Sequence, residues 1–216
     1  MKYIYKNNFR AILLLFILFA SWAAMQVVEK NAVKAEEMQK GIANEIIRFH
    51  VIANSDSKAD QALKYLVRDA LVKELTPYLK DAQDITTARE IISSNISVIK
   101  KTAENTIKSC GYSYDVAVAL KPCYFPLKIY GDYTFPPGTY DALRVQIGEA
   151  AGENWWCVMF PPLCFVDETY SIVDEESQKK LKYLLTEEEY NSLVSQKTPV
   201  KIKFKLFEAF KKLFTD

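Results

Sequence analysis

The sequence predicts an α+β fold: a mostly antiparallel sheet packed with a helical hairpin, C-terminal helices, and an N-terminal apolar signal or anchor helix. Three observations predict it. A short alternating segment, Ile46 to Ala53, is followed by two stretches with apolar residues every three or four positions. A long β-textured region, Tyr112 to Phe160, comes next, and helical periodicity returns from Asp174. Helices and strands in runs, rather than in strict alternation, mark an α+β arrangement. The 216 residues, 50% hydrophobic, suit one extracytoplasmic domain over 45–216, with a spacer at 29–44 and a signal peptide or membrane anchor at 1–28.

The N-terminal segment sets the compartment. Lys2, Lys6 and Arg10 precede an uncharged apolar run, AILLLFILFASWAAMQVV, from Ala11 to Val28. A basic flank before an apolar stretch is an export signature. The run is about long enough to span a bilayer, which takes roughly 17–25 residues, so a cleaved signal and a retained anchor both fit. Ser21 and Ala23 offer small residues for cleavage after Ala23; Val33 and Ala35 offer a weaker site. The basic flank stays in the cytoplasm, which places the remainder outside. Three of the 28 basic residues and none of the 27 acidic ones lie in 1–28, so the exported part is close to neutral.

Each element follows from local pattern. Ile47, Phe49, Val51 and Ala53 form one face of a strand, and Ile46, Arg48, His50 and Ile52 the other. Asn54-Ser55-Asp56 is a turn, and Ser57 with Asp60 resembles a capping box that starts a helix. Leu63, Leu66, Val67, Ala70, Leu71 and Leu75 stripe that helix, and Pro77 lies near its end. Thr87 and Glu90 mark a second start, and Gly111 a stop. Alternation then gives strands from Tyr112 to Leu120, Leu127 to Phe135, Tyr140 to Ile147 and Trp155 to Phe160, the second and third flanking the FPPGT turn. Two helical pieces follow Asp174, the second starting at Thr186 and Glu189. The tail, KIKFKLFEAFKKLF, reads as a strand feeding a helix or as an interfacial amphipathic helix.

Several function classes are excluded. A net charge of +1 lacks the basic excess of a nucleic-acid binder. There is no P-loop, no GxGxxG and no CxxC pair, and a single histidine argues against a multi-histidine zinc site, so neither a metal nor a cofactor is expected. The one imidazole, His50, and the hydroxyl of Ser55 raise the question of an exported hydrolase acting on peptide or cell wall. About five residues of strand separate them by some 15 Å, and no G-x-S-x-G elbow exists, so no catalytic residue is assigned. Two other readings remain: Arg48 and His50 lie on a wetter strand face above a structural turn, or they form a recognition corner with Asn54 and Asp56 that receives a carboxylate from a partner.

The stretch NWWCVMFPPLCF, Asn154 to Phe165, is the most aromatic. Trp155 and Trp156 point to opposite sides of a strand; one enters the core, while the other faces solvent, a neighbouring strand or a partner. Together with Phe160 they form a second candidate contact set. Cys110, Cys123, Cys157 and Cys164 make an even number in an exported chain, which predicts disulfides Cys157–Cys164 and Cys110–Cys123, each pair flanking a short proline-bearing segment. Free buried thiols are the alternative.

RFHVIANSDSKADQALK followed by LVRDAL, the block YGDYTFPPGTYDALRVQIGEAAGENWWCVMFPPLCFVD, and the basic apolar N-terminus together resemble the stage II sporulation protein R family. The resemblance runs from about Ile47 to Asp167. It implies a protein that is not an enzyme, made in the forespore and exported into the space between forespore and mother cell. There it would signal to a membrane-embedded aspartic protease, the sigma-E-factor processing peptidase, which cleaves the sigma-E precursor in the mother cell. It assigns no catalytic role to any residue.

Overall fold

The structure, a computed structural model, describes residues 2–164 and 173–195, with side chains for 15–164 and 173–194. The expected tail at 200–216 lies outside these residues. Helix α1, Lys2–Ala43, runs without a break from the basic flank through the polar segment after Val28. Only its last turns meet the domain: Ile42 is buried, Met38 and Ala43 pack beside it, and Gln39 Nε2 donates to the Thr139 carbonyl at 3.2 Å. Among the described residues, Leu15 to Val28 stand largely exposed, Phe16 at 67% and Trp22 at 58%. No helix among the described residues is long and apolar enough to cross a membrane. The apolar run itself begins at Ala11, and the side chains of 11–14 lie outside the described residues.

Strand β1, Ile47–Ile52, lies inside a four-stranded sheet of order β2-β5-β1-β6. Strand β2 is Val116–Phe125, β5 is Gly138–Ile147 and β6 is Asn154–Phe160. The β2–β5 and β1–β6 pairs are antiparallel and β1–β5 is parallel, so the sheet is mixed but mostly antiparallel. Pro122, which lacks a ladder N–H, is tolerated because β2 is an edge strand. Two short strands, β3 Lys128–Tyr130 and β4 Tyr133–Phe135, form a separate hairpin.

Helix α2, Lys58–Lys80, starts where the sequence puts it: the Ser57 hydroxyl accepts from the Asp60 N–H at 3.1 Å. The next start is earlier than Thr87. Asp84 caps α3, Ile85–Ser94, by accepting from Thr87 N–H at 2.8 Å. The long second helix is also divided. The Asn95 side chain donates back to the Ile91 carbonyl at 2.8 Å, and α4, Ile96–Ser109, begins afresh beyond it. Gly111, at φ +83, closes α4 by letting Tyr112 N–H reach the Ile107 carbonyl. Helices α5, Glu175–Leu184, and α6, Glu187–Ser195, are capped by Asp174 and by a Thr186–Glu189 box. The expected single strand from Leu127 to Phe135 is instead the β3–β4 hairpin, because Gly131 turns the chain at φ +57.

Helices α2, α3 and α4 cover one sheet face, where Phe49, Val51, Leu143, Val145 and Leu71 join a common core. The end of α1, the hairpin, α5 and α6 cover part of the other, around Ile46, Phe125, Tyr140 and Val158. Being flanked on both edges and both faces, β1 is buried at every position.

Cys157 and Cys164 are bonded across the end of β6, with Cα atoms 5.5 Å apart. The expected Cys110–Cys123 bridge is absent: both are free thiols. Cys110 ends α4, whereas Cys123 lies seven positions along β2 from Val116, about 23 Å at ~3.3 Å per residue.

Candidate functional site

The stretch from Arg48 to Lys64 builds two joined features. The first is a corner. Asn54 Oδ1 accepts from Glu149 N–H at 3.0 Å, and Asp56 Oδ1 accepts from Glu153 N–H at 2.7 Å. The N–H groups of Ala151 and Gly152 donate to the carbonyls of Asn54 and Ala53. Lys64, 1% exposed, donates to the Glu153 carbonyl at 3.1 Å. The turn therefore staples the 148–153 loop to the start of α2. Gly148, at φ +55, is required there, since a Cβ would strike the Asn54 side chain. Asp60 gathers the hydroxyl of Ser55 at 2.5 Å and Nδ2 of Asn54 at 2.9 Å. These hydrogen bonds, Ser55 first, hold its carboxyl below the usual range.

The second feature is a buried cation. Arg48 is fully buried, not on a wetter face as the alternation suggested. Its guanidinium sits over four rings, Phe125 at 4.5 Å, Tyr140 at 5.0 Å, Phe135 at 5.3 Å and Tyr130 at 5.7 Å. Nη2 donates to the Tyr130 hydroxyl at 3.3 Å, while Nε and Nη1 have no hydrogen-bond partner among the described residues. Ring faces attract a desolvated cation by ~2 kcal/mol or more, which offsets part of the cost of burying it. Burial pushes the guanidinium below its ordinary pKa, against the opposing influence of Tyr130 and Tyr140.

His50, 5% exposed, is stacked on Trp156 with ring centres 5.0 Å apart and planes 11° from parallel. Its Nδ1 lies 3.2 Å from Asn154 Oδ1 and its Nε2 has no partner among the described residues. Burial pushes its pKa down to about 4, helped by the cations Arg144, Lys121 and Arg48 and opposed by Asn154. The ring is neutral at pH 7. Ser55 is bonded to Asp60 rather than to His50, and Asp56 faces the loop, so the structure brings no hydroxyl–imidazole–carboxylate set together here.

Of the two candidate contact sets, Arg48, His50 and Phe160 are buried, and Asn54 and Asp56 are engaged with the loop. Trp155 and Trp156 do take opposite faces. Trp155 packs edge-on to Phe49 with Arg68 above it, and Trp156 lies between His50, Phe125 and Lys128. The sets are joined through the β1–β6 register, which pairs His50 with Trp156 and Val51 with Trp155. Sequence reading missed Lys121, Lys128 and Arg144, which gather around His50 and Trp156; only the strand register places them together.

A family model described as stage II sporulation protein R matches residues 43–170. The chain belongs to that family. It is 37% identical over 166 residues to Stage II sporulation protein R of Bacillus subtilis (strain 168), an alignment that spans 77% of this chain and 74% of the relative. No solved structure matches the chain. The family match spans the whole sheet, the corner and the aromatic cage around Arg48, and stops short of α5 and α6. Membership in the stage II sporulation protein R family gives the chain a role in sporulation.

Proposed function

We propose that the protein is exported from the forespore into the space between the two membranes and there activates, by contact, the membrane-embedded sigma-E-factor processing peptidase. The protease then cleaves the sigma-E precursor in the mother cell. Family membership over 43–170 carries this reading. The basic flank and apolar run of residues 1–28 support export, either as a cleaved signal or as an anchor holding the domain in that space. The apolar surface of α1 from Leu15 to Val28, exposed among the described residues, fits a segment meant for lipid. The buried, neutral imidazole, remote from Ser55, favours contact over catalysis.

Contact activates by differential affinity: the domain binds the active arrangement of the protease better than the inactive one, and shifts the balance only by that difference. Co-expression of the full chain with the protease and the sigma precursor, in a host that does not sporulate, tests the reading. Cleavage of the precursor that depends on the chain is expected. An uncleaved precursor, with the chain exported and folded, overturns it.

A further inference from the structure

Among the described residues, the sheet face that carries Arg48 and His50 is covered at one end only. Beyond the hairpin it is open: Lys121 is exposed, and Arg144, Cys123, Lys128 and Trp156 are half-buried. The register places these groups on one face, since Lys121 and Cys123 of β2 pair with Ala142 and Tyr140, Arg144 of β5 pairs with His50, and His50 pairs with Trp156. Lys128 Nζ lies 5.6 Å over the Trp156 ring. All the charged strand residues on this face, Arg48, Lys121 and Arg144, are cations. Lys128 adds a fourth positive charge, while Asp115 and Glu149 lie past the strand ends. Asp141 points to the opposite face, where Arg89 binds it. Two atoms at the floor of this part of the sheet, Arg144 Nε and His50 Nε2, are buried without a hydrogen-bond partner among the described residues, while Arg48 lies beneath its four rings at the covered end. Such groups are costly to leave unmade.

We propose that this open end of the sheet, with Arg144 and the Trp156–His50 stack as its floor and Lys121 and Lys128 as its rim, docks a carboxylate-bearing acidic segment of a partner protein. A guanidinium offers a planar fork matched to a carboxylate, and two lysines add point charges at the rim. The indole platform gives the incoming chain apolar area at little entropic cost. The net charge of +1 supplies no long-range pull, so recognition rests on local pairing at this face. Arg144 and Trp156 are half-buried, with only Lys121 exposed above them, which suits a narrow peptide segment better than a flat bilayer. The docking chemistry stands on the geometry alone; that the acidic segment belongs to the protease rests on the function proposed above.

Cys123 lies in the site and Cys110 at the end of α4, so the two free thiols serve as probe and internal reference. The full chain in zwitterionic detergent is treated with iodoacetamide, and alkylation at each cysteine is followed by peptide mass. A capped hexapeptide of alternating Asp and Glu, at millimolar concentration and low salt, is expected to slow alkylation of Cys123 several-fold and leave Cys110 unchanged. Protection should vanish in Lys121→Glu/Lys128→Glu and in Arg144→Gln, and should fade at about 0.15 M salt, where the screening length is about 8 Å. No protection of Cys123, or equal protection in the charge variants, overturns the proposal. So does protection by phosphatidylglycerol vesicles without protection by the peptide, which would make this a membrane-facing surface. In the co-expression system the variants separate the two readings. If wild type supports cleavage and the charge variants support it equally, this face is not the docking site although the signalling reading stands. If peptide protection holds while wild type supports no cleavage, the face binds acidic segments and the signalling reading fails.

Discussion

Replacing His50 by Gln removes a titrating group whose folded and unfolded pKa values lie far apart. Burial holds the folded value at about 4, against the unperturbed value of 6.5. The unfolded chain therefore binds the proton first as pH falls, and stability is lost between about pH 6.5 and pH 4. The gap between 6.5 and about 4 corresponds to about 3.4 kcal/mol, and stopping at pH 4.5 captures roughly 2.5 kcal/mol of it. Glu45, raised by burial, titrates in the same window and acts the other way, while Asp60, Asp84 and Asp174, held low, lose stability mainly below it. Comparing wild type with His50→Gln at both pH values cancels these contributions. Urea unfolding followed by far-ultraviolet circular dichroism at pH 7 and pH 4.5 is the assay. Wild type should lose about 2.5 kcal/mol more than the variant on acidification, a midpoint difference of roughly 1 M at typical urea slopes. Identical pH dependence in the two proteins would refute the burial argument and return His50 to a solvated face.

Further outcomes follow from other parts of the fold. Gly148→Ala forces a side chain into a left-handed backbone and displaces Asn54 from Glu149; a loss of about 2–3 kcal/mol in urea unfolding is expected, and a loss under ~0.5 kcal/mol would contradict the corner. Ser57→Ala removes the α2 cap and should cost about 1 kcal/mol by the same measurement. Alkylation of the unfolded protein should label Cys110 and Cys123 before reduction and all four cysteines after it, with fewer than two labels before reduction contradicting the pairing. Replacing both Cys157 and Cys164 by Ser releases a short loop and should lower stability by about 2 kcal/mol in the chain-entropy account.

The α+β class was legible because each element carries its own period and cap. Ser57, and Thr186 with Glu189, form the caps their sequence suggests, and the helix expected after Asp174 is there, capped by Asp174 itself. Asp84 was overlooked in favour of Thr87 because the helix starts one turn before its first strongly periodic residue. Asn95 looked like an ordinary polar position, since its back-bond to Ile91 is invisible until the helix exists. The burial of Arg48 and His50 was misread for a different reason. Alternation in one strand says which residues share a face, but not what lies above it, and here four rings from β2, the hairpin and β5 close over the guanidinium. The parallel β1–β5 pairing and the meeting of Lys121, Arg144 and His50 depend on register across segments about 20 to 90 residues apart, which local pattern does not encode. The Cys157–Cys164 bridge was readable because its partners flank one turn, whereas Cys110 and Cys123 are close in sequence only.

The central claim is that the domain works by contact from across a membrane. Its most direct test expresses the sigma precursor and the protease with either the full chain or residues 29–216 lacking the N-terminal segment, at matched levels of folded protein, and compares precursor cleavage on a gel. Cleavage with the full chain, its loss when the domain is confined to the cytoplasm, and its return when a heterologous export signal is attached are the predicted results. Equal cleavage from the cytoplasmic form would contradict the account.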